Sequence, residues 1–159
     1  MSRGRSIAGL LVCLGACFGA AILGAAFTGE AVAEWYPTLR QPAWTPPPWV
    51  FGPVWTALYA MMAVAAWLVW RKDRWAGARA ALGLFAAQLA LNAAWTPLFF
   101  GLHAVGAAML DLAVLWVAIA ATTIAFWRHS RAAAALMVPY LAWSTFAAAL
   151  NFAIWRMNA

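Results

Sequence analysis

Five apolar runs constrain this chain more than any other feature: Ile7–Phe27, Trp49–Trp70, Ala80–Leu102, Ala104–Trp127 and Ala132–Trp155. A helix rises about 1.5 Å per residue, so a run of about 20 residues crosses about 30 Å of hydrocarbon. Lipid offers no partner to a backbone N–H or C=O, so runs of this length must be helices that satisfy their own hydrogen bonds. The composition agrees. The 159 residues are 67% hydrophobic and 9% charged, with a mean hydropathy of +0.81, whereas a water-soluble domain carries about 25% charged residues. The intervals at 71–79, 102–104 and 128–131 are short and impose antiparallel neighbours; only 28–48 is long. The expected fold is an all-α membrane protein formed by one domain, residues 1–159. It is a five-transmembrane-helix bundle with helices at about 7–27, 49–70, 80–102, 104–127 and 132–155, and a Trp/Pro-rich loop, 28–48, between helices 1 and 2.

The first run has features of a cleavable leader, with Arg3 and Arg5 before it and Ala31-Val32-Ala33 after it. Its apolar stretch exceeds the 7–15 residues of a signal h-region, so a retained helix is expected. The net charge of +6 does not point to nucleic acid. The charges fall in short clusters between apolar runs and form no basic stripe, so no nucleic-acid partner is expected. Arg3, Arg5, Arg71, Lys72, Arg74, Arg79, Arg128 and Arg131 would share one side of a membrane, leaving Arg40 and Arg156 on the other. If the membrane is a plasma or inner membrane, the positive-inside rule then predicts a multi-pass protein with a cytoplasmic N-terminus and the 28–48 loop outside.

Between Trp35 and Tyr59 the chain holds four of its twelve tryptophans and six of its eight prolines. Proline fixes φ and removes a donor, so the first part of this segment is neither regular helix nor central strand. Indole joins a broad apolar face to a single N–H donor, which suits a membrane interface or a planar ligand. The segment therefore reads as an anchor or as a lid. At membrane depth Gln88 and Asn92 are one helical turn apart, and Trp95 and Phe99 continue their stripe. Tyr140, Ser144, Ala147 and Asn151 form a second stripe bordered by Trp143, and Trp55 and Tyr59 sit one turn apart on the second helix. Each amide taken alone reads as interhelical glue. Amides, a phenol and indoles converging from three helices under an aromatic loop read as an apolar pocket with a few placed polar groups. Asp111 is an acid two turns into the fourth helix, where a carboxylate faces a cavity or a partner. Trp127 and Trp155, near helix ends, read as belt aromatics.

Ordinary catalytic sets are missing from the sequence. Cys13 and Cys17 lie on one face of one helix, a poor geometry for a disulfide, and read as small packing residues. His103 and His129 are expected on opposite sides of the membrane, so no metal site is expected. No haem-attachment motif, Walker loop or nucleophile elbow occurs, and no motif requires a cofactor. Gly15-xxx-Gly19 and Gly83-xxx-Ala87 are small-xxx-small patterns, suited to a seam within the bundle or to a dimer face.

The motifs Trp35-Tyr36-xx-Leu39-xx-Pro42-x-Trp44-x-Pro46-Pro47 and Trp55-Thr56-x-Leu58-Tyr59 belong together with three later blocks. These are Gln88-Leu89-xx-Asn92-xx-Trp95-x-Pro97-x-Phe99-Phe100-Gly101, then Pro139-Tyr140-Leu141-x-Trp143, then Leu150-Asn151-Phe152. In this order, over nearly the whole length, they resemble the TspO/MBR family (tryptophan-rich sensory protein/translocator protein, also peripheral-type benzodiazepine receptor). The resemblance implies a receptor-like membrane protein, commonly a homodimer, that binds porphyrins (protoporphyrin IX or haem) and sterol-like or benzodiazepine-type ligands. Carried over by position, the ligand site is Trp44, Trp55, Tyr59, Gln88, Asn92, Trp95, Trp143 and Ala147. Trp35, Arg40 and Pro47 would belong to the lid, and Gly83 and Ala87 to the dimer interface. The resemblance also carries two alternatives: light- and oxygen-dependent porphyrin degradation, with Trp55 and Trp143 as redox candidates, and small-molecule transport or efflux. The chain departs from the family's pattern twice. Leu150, Phe152 and Arg156 put Phe where the sterol pattern wants Tyr, which lowers the expected sterol affinity. Gln41 stands where lysine is common, and Arg40 beside it could meet a porphyrin carboxylate instead.

Overall fold

Runs rich in Ala and Leu favour helix, and the helices that result bury narrow stripes while presenting the rest to lipid. The computed structural model describes residues 2–159. Its elements are α1 (Arg3–Ala25), a short α2 (Gly29–Glu34), a 3-10 turn (Tyr36–Thr38), α3 (Pro48–Thr96), a π turn (Pro97–Gly101), α4 (Val105–His129) and α5 (Arg131–Asn158). No strand occurs among the described residues. Four stretches are long and apolar enough to cross a membrane: Arg3–Ala25, Pro48–Gly101, Val105–His129 and Arg131–Asn158. Their outward faces are apolar, with Val12 71%, Ile22 70% and Leu110 70% exposed, a surface suited to lipid and not to water.

The 49 residues of α3 do not form a single rod. Laid straight they would measure about 73 Å, more than twice the hydrocarbon thickness. Arg74 breaks the run with φ 60° and ψ −179°, a region that side-chain-bearing residues avoid. The Tyr59 hydroxyl bonds Asn92, 33 positions away, a separation of about 50 Å along a straight helix. The chain therefore reverses at Arg74, and 48–73 and 75–96 are antiparallel legs. The loop expected at 71–79 is thus a one-residue break, because helical hydrogen bonding continues up to the reversal on both sides. The segment 28–48 also departs from expectation. It is not one irregular loop, since α2 and the 3-10 turn occupy its first half and only 39–47 lacks regular structure.

Small residues set the close approaches. A Cβ built on Gly9 would clash with the edge of the Trp70 ring, and one on Gly24 would lie 3.1 Å from Thr96 Oγ1. Helix α1 therefore lies along both legs of α3, and the Trp67 indole N–H donates to Ser6 O at 2.9 Å. Ser130 caps α5 by accepting from the Ala133 N–H at 3.2 Å, which turns α4 sharply into its antiparallel partner. Phe85 stacks on Phe126 at 5.8 Å and joins the second leg of α3 to α4. Gly15 and Gly19 meet nothing within 4 Å, so the first small-xxx-small pattern is not a seam within the bundle.

The two ends of the bundle differ in chemistry. At one end Lys72 Nζ donates to His129 O at 2.6 Å, and His129 Nδ1 pairs with Asp73 Oδ2 at 2.6 Å. Arg71 lies over Trp67 and Arg131 over Trp127. The other end is aromatic: Trp35 stacks on His103 at 4.0 Å with 10° between the planes, and Phe99 and Phe100 close around it. His103 and His129 thus occupy opposite ends.

Candidate functional site

A hydrogen-bonded ladder crosses the centre of the bundle. The Tyr59 hydroxyl donates to Asn92 Oδ1 at 2.5 Å, and Asn92 Nδ2 donates to the Tyr140 hydroxyl at 2.8 Å. One amide thereby joins both legs of α3 to α5. One turn further along, Trp95 Nε1 donates to Asn151 Oδ1 at 3.1 Å, and Asn151 Nδ2 donates to Val105 O at 3.1 Å. Helical spacing accounts for this arrangement. Gln88, Asn92, Trp95 and Phe99 follow one stripe of the second leg, and Tyr140, Ser144 and Asn151 follow one stripe of α5. Gln88 is fully buried, and its Nε2 meets only the Met62 sulfur at 3.9 Å. Gln88 Oε1, Ser144 Oγ and Asp111 Oδ2 are buried without a partner. Buried polar atoms are normally satisfied, so an interior holding three such atoms has unused capacity for polar contacts.

Aromatic rings flank the ladder in two groups. Trp55 packs on Tyr59 at 5.7 Å and sets its edge against Tyr140 at 6.2 Å. Trp143 instead meets Phe51 at 5.9 Å and Phe146 at 5.2 Å, and Trp44 meets Phe146 at 5.8 Å. Trp143 and Phe146 line an open apolar groove of about 490 Å³ between the first leg of α3 and α5. Val54, Leu58, Met61 and Pro139 form its walls. The structure therefore brings Trp55, Tyr59, Asn92 and Trp95 onto the ladder and sets Trp44 and Trp143 beside the groove. Ala147, on the α5 stripe, packs half-buried against the core.

The 28–48 segment lies across the aromatic end. Trp35 also meets Phe99 edge-on at 5.6 Å, and Tyr36 contacts Phe99 and Phe100. Burial raises the phenol of Tyr36 above its ordinary value. Gln41 Nε2 donates to Tyr36 O at 2.7 Å, so the residue found in place of the common lysine ties the segment to itself. Arg40 is held through its backbone, with its N–H donated to Asn158 Oδ1 at 3.0 Å and its carbonyl accepting from Asn158 Nδ2 at 2.9 Å. Pro47 ends the irregular stretch, and its carbonyl accepts the Val50 N–H at 3.0 Å, opening α3.

Other expected residues stand apart. Leu150 is 6% exposed and faces inward, whereas Phe152 is 49% exposed and Arg156 also points outward. The sterol-pattern remnant is therefore not one surface. Gly83 meets nothing within 4 Å, and both it and Ala87 are exposed on the outer face of the second leg. Cys13 and Cys17 are free thiols. Phe51, Phe146 and Asn158 were missed in the sequence. Phe146 was within reach of inspection as the residue one turn from Trp143, but Asn158 lies beyond the last apolar run and carries no periodic signal.

A polytopic helical membrane protein, with an internal ladder of amides and phenols beneath an aromatic cap, is the class that this fold and site define. The TspO/MBR family model matches residues 13–156. The tryptophan-rich protein TspO of Chlorobaculum tepidum is 40% identical over 97% of this chain and 98% of its own length. The human translocator protein is 44% identical over 86% of this chain and 82% of its own. A tryptophan-rich sensory protein of Cereibacter sphaeroides is 43% identical over 93% and 90%. The chain belongs to the TspO/MBR family.

Proposed function

We propose that this membrane receptor-like protein binds a porphyrin between the ladder and the aromatic segment above it, in a role of tetrapyrrole regulation or transport. The observation that carries this reading is the ladder itself. Gln88 Oε1 and Ser144 Oγ are buried without a partner, and the indoles of Trp55, Trp95 and Trp143 pack against the same bundle core. Indole faces suit a planar macrocycle, and buried acceptors suit pyrrole N–H donors. The Arg40 guanidinium, exposed at the aromatic end, suits a propionate. The basic end, with Lys72, Arg71 and Arg131, would face the cytoplasm, and the 28–48 segment would act as a lid on the outer side.

Titration of the purified protein with protoporphyrin IX, haem and a sterol, followed by tryptophan quenching, tests the reading. Porphyrin is expected to quench. The double variant Trp55→Phe, Trp143→Phe is expected to keep its helical circular dichroism while porphyrin affinity falls about tenfold, as two indoles give way to smaller phenyl faces without an N–H. Unchanged affinity in that variant would defeat the proposed site.

The exposed Gly83 and Ala87 support a homodimer through the second leg of α3, since small residues let helices approach closely in lipid. Ala87→Cys, in a background lacking Cys13 and Cys17, is expected to cross-link in membranes. Gly83→Leu is expected to abolish that cross-link; a cross-link that persists undiminished would assign the dimer elsewhere.

A further inference from the structure

We propose that Asn158 is a positioning residue, a latch by which the end of α5 holds the 39–47 stretch closed and so sets how long a ligand stays bound. The proposal rests on the reading of that stretch as a lid. Its basis is the match between one side-chain amide and one residue's backbone. Asn158 Oδ1 accepts from the Arg40 N–H at 3.0 Å, and Asn158 Nδ2 donates to the Arg40 carbonyl at 2.9 Å. The carboxamide thus pairs with Arg40 as a neighbouring strand would. Asn158 Nδ2 also donates to Ile154 O at 2.7 Å, one turn back on its own helix. That third bond orients the amide, so the latch is set before the lid arrives.

The contact is distinctive in its reach. Arg40 and Asn158 are separated by 118 positions. The remaining hydrogen bonds of the stretch are local, such as Gln41 to Tyr36 at 2.7 Å and Thr45 Oγ1 to Pro42 O at 2.8 Å. Local bonds shape the stretch but cannot hold it down. The Trp44 ring against Phe146 adds a contact that can slide, whereas the paired amide fixes both position and direction. Only a carboxamide offers an acceptor and a donor in this geometry; aspartate keeps the acceptor and loses the donors.

The test uses the full chain in detergent or nanodiscs, with Asn158→Ala and Asn158→Asp. In the ligand-free protein, hydrogen–deuterium exchange of a peptide covering 36–46 is expected to quicken about tenfold in Asn158→Ala and by less in Asn158→Asp. Exchange within α4 is expected to be unchanged, which separates a released lid from general loosening. Stopped-flow displacement of protoporphyrin IX is expected to show dissociation about three- to tenfold faster, with association little altered. Wild-type exchange across 36–46 in Asn158→Ala would overturn the latch, as would faster exchange with an unchanged dissociation rate. If the wild-type protein fails to bind protoporphyrin IX, the proposed function falls while the exchange measurement still decides the latch.

Discussion

Replacing Asn92 by Leu is expected to cost the protein about 2–4 kcal/mol of stability, read as a lower thermal midpoint in detergent by tryptophan fluorescence. Leu preserves the bulk but removes both arms of the amide. The Tyr140 hydroxyl, on a residue with 0% exposure, then loses the donor that satisfies it, and the Tyr59 hydroxyl loses its acceptor. Interhelical hydrogen bonds within membranes are worth only about 0.6 kcal/mol on average. The larger share of the loss comes instead from two hydroxyls left unpaired in an apolar interior, at about 1–3 kcal/mol each. Tyr59→Phe, which removes one hydroxyl and leaves the Asn92–Tyr140 bond intact, is expected to cost about 1 kcal/mol. Asn92→Leu combined with Tyr59→Phe should therefore be less than additive. A midpoint for Asn92→Leu equal to that of the wild type would show that the ladder does not bind the three segments together.

Gly9→Ala is expected to loosen α1 by about 1–3 kcal/mol, and Gly9→Leu by more, because the added atoms must displace the Trp70 ring. A Cβ at position 9 would lie 2.6 Å and 2.7 Å from two further carbons of that ring. The indole is packed against the core and has the Arg74 guanidinium over it at 5.8 Å, so it does not retreat freely. Trp70→Leu should open room and rescue Gly9→Ala, giving a coupling that a double-mutant cycle would resolve. Gly15→Ala, with open space around it, is expected to be neutral. Equal effects at positions 9 and 15 would refute this account of the seam.

The glycines show where sequence reading stops. Gly15-xxx-Gly19 has the familiar spacing and meets nothing within 4 Å, while Gly9, in no such pair, and Gly24, at the same spacing from the buried Ala20, carry the contact with α3. Spacing specifies a helix face but not which face turns inward. That choice depends on what the neighbouring helix presents, here Trp70 and Thr96. The polar stripes were legible for the opposite reason. An amide is expensive in lipid, so Gln88, Asn92 and Asn151 had to turn inward wherever the helices went. Trp55 and Trp143 illustrate a middle case. Both were visible as pocket candidates, yet one lies on the ladder and the other on the groove, because their rings diverge on helices whose relative rotation no local signal encodes.

By itself, then, the sequence determined that the chain is helical, that its solvent is lipid, which stripes are buried, and that eight of its ten basic residues share one end. These follow from local costs: an unpaired backbone group, a charge or an amide in hydrocarbon is penalised whatever the fold. Only the tertiary structure decided that α3 reverses at the single residue Arg74, that Asn92 joins two tyrosines from different segments, and that Asn158 reaches back to Arg40. Each of those depends on groups far apart in the chain, and their meeting is set by how the helices rotate and stack against one another.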